Sequence, residues 1–126
     1  MKAKNRLHSL TCACVGIITA LKSERNIQIH SCFLLLTLCL CYYYQFSVFE
    51  WSLVLLCNGL VIATELVNTS IEHLSNGVSG EYSQHIKQVK DIAAGAVLIT
   101  ALVAMVIGIL LFMPYIINSY RLIKGS

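Results

Sequence analysis

Three long apolar runs separate the polar parts of this chain of 126 residues. They cover about residues 27–44, 48–71 and 93–113, and each is close to the ~20 residues that a helix needs to cross a bilayer. Charged residues make up only 12% of the sequence, about half the share of roughly 25% found in soluble domains. The chain is therefore predicted to be an all-α membrane protein, with three transmembrane helices in a single domain over residues 1–126.

A further helix is predicted ahead of the first apolar run. Apolar residues recur there at steps of three and four, with polar residues between them: Leu7, Leu10, Cys14, Ile17 and Leu21. This pattern indicates an amphipathic helix over about residues 3–24 that lies on the membrane surface. A secretory signal peptide is the competing interpretation, but a charged cluster follows at once without a small-residue cleavage site.

Basic residues indicate how the chain is oriented in the membrane. Five precede the first apolar run and two precede the third, whereas the connector 45–47 has none. The N-terminus and the polar segment 73–92 are therefore predicted to be cytoplasmic, although Arg121 and Lys124 then fall outside. Within that segment, residues 73–90 are expected to form a loop. Pro114 is expected to end the third helix, because proline cannot continue one.

Small residues recur at four-residue intervals in the third apolar run. They are Ala96, Thr100, Ala104 and Gly108. Such a stripe allows helices to approach closely inside a membrane. Three thin helices cannot enclose a polar site by themselves, so we expect a homo-oligomer that shares its sites between subunits.

The six acidic residues carry the functional signal, since five of them fall at one predicted edge of the membrane. Glu65 lies inside the second apolar run, where an ionisable group is costly and is by default a functional candidate. Steps of three and seven place Glu65, Asn68 and Glu72 on one helical face. Two carboxylates and a carboxamide in one stripe suit a divalent cation and a proton acceptor.

The depth of this stripe suggests the class of substrate. A span that starts near Phe49 places Glu65 just under the cytoplasmic interface and Glu72 in water. A lipid alcohol presents its hydroxyl at that depth, and a soluble phosphate donor approaches from the cytoplasm. The stripe therefore spans the boundary that a phosphoryl transfer between these two reactants must bridge.

Three separated motifs carry a family resemblance. They are Glu65 to Glu72 with Asn68 between them, Ser23 to Asn26 before the first span, and Lys90 to Leu98 at the start of the third. In order and spacing they resemble the small integral-membrane prokaryotic diacylglycerol kinases, including their undecaprenol kinase branch. The phrase from Ser23 to His30 looks more like the undecaprenol kinase branch.

The resemblance implies a homotrimer with shared active sites in the bacterial cytoplasmic membrane. The implied activity transfers the γ-phosphate of ATP to diacylglycerol or undecaprenol, with Mg²⁺ as cofactor and no nucleic-acid partner. By motif position, Glu65 resembles the general base of the family, and Glu24 and Glu72 resemble its metal ligands. The implied nucleotide-binding residues are Lys90, Asp91, Asn76 and Tyr82. Asn68 is the residue expected to position the substrate.

The chain departs from the family pattern at Asn76, where an aspartate is expected. This departure motivates a second hypothesis, a catalytically silent relative that binds lipid or nucleotide without turnover. A small structural or channel-like oligomer is the third. The four histidines share no ligand spacing and are given no role.

Overall fold

The computed structural model describes residues 2–78 and 83–125 of the chain, with the side chains of residues 7–77 and 83–125. The described residues form four α-helices, whose bounds are α1 (Lys2–Ser23), α2 (Arg25–Tyr43), α3 (Val48–Val78) and α4 (Gln84–Lys124). Of these, α2, α3 and α4 are long and apolar enough to cross a membrane. The predicted all-α fold with three long apolar helices is confirmed. The surface position of α1 stays a prediction.

The α3 helix organises the bundle, because it packs against each of the other three helices. Hydroxyl and amide side chains connect the helices inside the bundle. Thr64 of α3 shares a 2.9 Å hydrogen bond with Thr100 of α4, and Asn58 of α3 donates to Thr37 of α2 at 3.5 Å. Thr100 belongs to the stripe of small residues, so part of that stripe packs against α3 within the same chain.

The chain reverses direction between α2 and α3 over four residues. Gln45 has a φ of 52°, in the left-handed region that few non-glycine residues adopt. The Phe46 amide then donates to the Cys41 carbonyl at 3.0 Å. The buried side chains of Cys41, Phe46 and Val54 form a core beside this turn, packed against Tyr44, Trp51, Leu111, Phe112 and Tyr115. These aromatic contacts hold α2, α3 and α4 together at one end of the bundle.

The helix α4 does not end at Pro114, so that expectation is wrong. The helix continues through Pro114 to Lys124. The proline removes one backbone donor, but the helix continues for ten further residues. With 41 residues at 1.5 Å each, α4 is about 60 Å long, roughly twice the thickness of a hydrocarbon core. Part of α4 must therefore extend beyond the bilayer.

The expected loop over residues 73–90 is also largely helical. Helix α3 runs on to Val78 and α4 starts at Gln84. The Asn76-Gly77 pair forms the last turn of α3. The length of a helix that projects from a membrane is not limited by the length of its apolar run, because polar residues that face water can also be helical. This extension keeps the residues around Glu72 on the same rigid element as Glu65.

Candidate active site

Glu65 is buried at the end of the bundle opposite the aromatic core. It lies on α3 and is 2% exposed. The Asn68 side chain, one turn further along, makes a hydrogen bond to its carboxylate. Glu24 and Glu72 are both close enough to Glu65 to act on its charge. Three of the predicted site carboxylates therefore lie within electrostatic range of one another's region of the bundle, with Glu65 as the buried member.

A histidine on α2 provides the basic partner of Glu65. The Nε2 atom of His30 lies 3.4 Å from Oε1 of Glu65, which is an ion-pair distance when the imidazole is protonated. Sequence reasoning missed His30, because contact across two helices leaves no spacing signal in the chain. The one available signal was the position of a histidine six residues after Glu24, within an apolar helix.

Glu24 lies between α1 and α2, where the chain changes direction. Its carboxylate Oε1 contacts Nε2 of His73 on α3 at 3.1 Å. The bend that presents Glu24 is held by Gln28, whose side-chain amide donates to the Leu21 carbonyl at 3.0 Å. The His73 contact, also missed in the sequence, connects the predicted metal ligand Glu24 to the helix that carries Glu65 and Glu72.

The carboxylates do not form a closed metal site within one chain. Among residues 7–77 and 83–125, no three His, Cys, Asp or Glu side chains converge in a way that could hold a metal ion. Mg²⁺ usually takes only one or two protein carboxylates and completes its shell with water and substrate phosphates. One or two carboxylates would therefore be enough only for a cation that arrives together with a nucleotide, and not for a structural metal.

The Asn76 side chain connects α3 to α4. The Lys90 ammonium group donates to Oδ1 of Asn76 at 3.3 Å. An amide at this position thus still contacts the lysine, although the family pattern expects a carboxylate. Asp91 is exposed on α4, next to Lys90. The predicted nucleotide contact Tyr82 lies outside the described residues.

Asn68 has an unsatisfied acceptor. The residue is 6% exposed, and its Oδ1 atom has no hydrogen-bond partner among the described residues. Such a buried orphan costs about 1–3 kcal/mol and needs an explanation. Asn68 lines a cavity of about 540 Å³ between α3 and α4, whose other walls are apolar apart from Thr64. A donor that enters from outside the chain would satisfy this atom.

Comparison with known proteins identifies the family of the chain. A model of the prokaryotic diacylglycerol kinase family matches residues 11–112. The chain is 34% identical over 99 residues to the undecaprenol kinase of Bacillus subtilis (strain 168), with 79% of this chain and 80% of that protein covered. It is 30% identical over 117 residues to a diacylglycerol kinase of Synechocystis sp. (strain ATCC 27184 / PCC 6803 / Kazusa), with coverage of 92% and 67%. The matched region contains Glu24, Glu65, Glu72 and Lys90.

Proposed function

The chain belongs to the prokaryotic diacylglycerol kinase family, and on that basis we propose that it transfers the γ-phosphate of ATP to the hydroxyl of a membrane lipid alcohol. The relatives are named for undecaprenol and for diacylglycerol, and one of these is the proposed acceptor. The reaction takes place at the cytoplasmic face of a bacterial cytoplasmic membrane.

The observation that carries the proposal is the convergence on Glu65. A carboxylate that is 2% exposed has Glu24, His30, Asn68 and Glu72 around it, from α3 and from the start of α2. A bundle that needed only stability would place apolar residues here, because burying a carboxylate is costly. The cost of burying the carboxylate is explained if the carboxylate takes part in the reaction.

Glu65 is the proposed general base. Phosphoryl transfer requires little covalent help and depends on positioning and on charge stabilisation. The base accepts the proton of the lipid hydroxyl as the hydroxyl oxygen attacks the γ-phosphorus. Asn68 is the proposed positioning residue, because its side chain makes a hydrogen bond to the Glu65 carboxylate and lines an apolar cavity between α3 and α4. A lipid alcohol has a hydrocarbon part, which suits the apolar cavity, and a hydroxyl group, which suits the carboxylate.

The remaining polar residues are proposed to serve the nucleotide. Glu24 and Glu72 are the residues that would hold Mg²⁺, and the ion, when bound, would offset the charge of the phosphates. Lys90 is the proposed phosphate contact, and Asn76 holds its ammonium group in place at 3.3 Å. Asp91 and Tyr82 complete the proposed nucleotide-binding set.

The proposed functional unit is a homotrimer with shared active sites. In a single chain the site stays open: the side chain of His73 is 66% exposed although it contacts Glu24. The apolar residues Leu7 and Leu10 of α1 are 69% and 64% exposed. Membrane lipid and neighbouring subunits are the two surroundings that would cover such surfaces.

A reconstituted assay tests the function. Purified protein in vesicles receives ATP and Mg²⁺ with either undecaprenol or diacylglycerol, and transfer of labelled γ-phosphate to lipid is measured. Turnover with at least one acceptor is expected, and Glu65→Gln is the matched control for contaminating kinases. Nucleotide or lipid binding without turnover would favour the silent relative that Asn76 suggests. Absence of both binding and turnover would contradict the proposed function.

A further inference from the structure

The contact between His30 and Glu65 suggests a role for a residue to which the sequence assigned none. His30 approaches from α2, a different helix from the one that carries the carboxylate, and the two side chains meet at 3.4 Å. The His30 side chain is 26% exposed, whereas that of Glu65 is 3% exposed. The imidazole is therefore the more accessible of the two side chains.

The charges around Glu65 give His30 its importance. Glu72 acts on the charge of Glu65 from the same helix, and Glu24 acts from the residue before α2; both of these groups are negative. Asn68 is a neutral partner. The basic residue of α4 in this region, Lys90, contacts Asn76 instead. Among the described residues that act on Glu65, His30 is the only one that can carry a positive charge.

A general base must be ionised before it can accept a proton. We propose that His30 is a positioning residue for the phosphoryl transfer assigned above: its imidazolium keeps Glu65 in the anionic form that accepts the proton of the lipid hydroxyl. This inference rests on the proposed function. In the step, the hydroxyl O–H bond breaks and its proton goes to Glu65, while the oxygen forms a bond to the γ-phosphorus and the bond to the ADP oxygen breaks.

His30 also borders an apolar cavity inside the bundle. His30 lines a second cavity of about 270 Å³ between α2, α3 and α4, whose walls include Phe33, Thr37, Ala104 and Phe112. An imidazole at the edge of an apolar cavity is shielded from bulk water on one side. Its charge therefore acts on Glu65 more strongly than a fully solvated cation would.

The test is the pH dependence of kcat with saturating lipid and ATP-Mg²⁺. His30→Gln removes the positive charge and keeps a side chain of similar length. We expect the acid limb of the profile to move to higher pH by about one unit, because a neighbouring opposite charge typically shifts a carboxyl group by one unit or more. On the alkaline plateau kcat is largely retained. A purely structural defect would lower kcat at every pH by the same factor.

Two further variants complete the experiment. His30→Lys restores a cation, and its acid limb is expected to return towards that of the wild type. His85→Gln makes the same chemical change at an exposed position on α4 and is expected to leave the profile unchanged. His30→Asn makes the same prediction as His30→Gln and replaces it if the Gln variant does not fold.

The outcomes distinguish this inference from the proposed function. An inactive wild type would contradict the lipid kinase function itself. An active wild type whose profile superimposes on that of His30→Gln would overturn the role of His30 and leave the function intact. Equal shifts in His30→Gln and His30→Lys would also overturn it, because the charge would then be irrelevant.

Discussion

The hydroxyl of Tyr115 donates a 2.9 Å hydrogen bond to Oε1 of Glu50, which joins α4 to the first turn of α3. The other carboxylate oxygen accepts from both the backbone amide and the hydroxyl of Ser47, each at 2.7 Å. Ser47 and Glu50 thus form a capping box at the start of α3. One carboxylate therefore caps a helix and holds the neighbouring helix beside it, at the end of the bundle opposite the candidate active site.

Tyr115→Phe tests this connection. The variant removes the hydroxyl and retains the ring contacts with Tyr44 and Phe46. We expect a lower midpoint of thermal unfolding in detergent and unchanged kcat, because Glu50 lies far from Glu65 along α3. Tyr42→Phe is the matched control, since Tyr42 is 82% exposed. Equal midpoints for the two variants would show that the hydroxyl contributes nothing to the stability of the bundle.

Glu65→Gln is expected to abolish turnover and leave folding and ATP affinity nearly intact. The amide keeps the size of the side chain but does not accept the proton, and loss of a general base typically costs ~10² to 10⁴ in rate. Lipid phosphorylation and ATP binding are measured on the same preparation. Glu50→Gln is the matched control at the other end of α3. A Glu65→Gln enzyme as fast as the wild type would remove Glu65 from the catalytic role.

Glu24→Gln and Glu72→Gln are each expected to raise the Mg²⁺ concentration needed for half-maximal rate. The two carboxylates are the proposed ligands of one ion, so the double variant should show a less than additive effect. Glu24 also contacts His73, and His73→Gln separates loss of that contact from loss of a ligand. Unchanged metal dependence in either glutamate variant would remove that residue from the metal site.

Asn76→Asp replaces the neutral acceptor of the Lys90 ammonium group by a carboxylate, which converts the hydrogen bond into an ion pair. If Lys90 contacts the phosphates, a more firmly held ammonium group should raise kcat/KM for ATP-Mg²⁺ modestly, by no more than about 1.5–3 kcal/mol in free energy. Asn76→Ala should lower it, because the 3.3 Å contact disappears. A wild type without turnover that becomes active as Asn76→Asp would instead identify the natural chain as a silent relative.

Hydropathy alone determined the secondary structure class and the number of long apolar helices. Apolar runs near 20 residues leave a chain in lipid few alternatives, because every backbone polar group must be satisfied within the helix. The ends of the helices were harder to predict from the sequence. The sequence predicted an end at Pro114 and a loop over 73–90, but the helices continue. Those predictions were based on where each apolar run stops. The end of an apolar run limits the membrane span, but the helix can continue beyond it.

The main candidate site residues were also proposed from the sequence. A carboxylate at position 65 is so costly in an apolar helix that it marks a candidate site without any structure. The step from Glu65 to Glu72 places both on one face, because the helical repeat fixes the relation between residues on a single helix.

Only the tertiary structure decided which side chains meet across helices. The contacts of His30 with Glu65 and of His73 with Glu24 depend on how α2 and α3 are rotated and where they cross. Local sequence does not encode these quantities, since they result from the packing of whole helix surfaces. The sequence therefore identified the residues that carry charge, and the tertiary structure decided which of those charges act on one another.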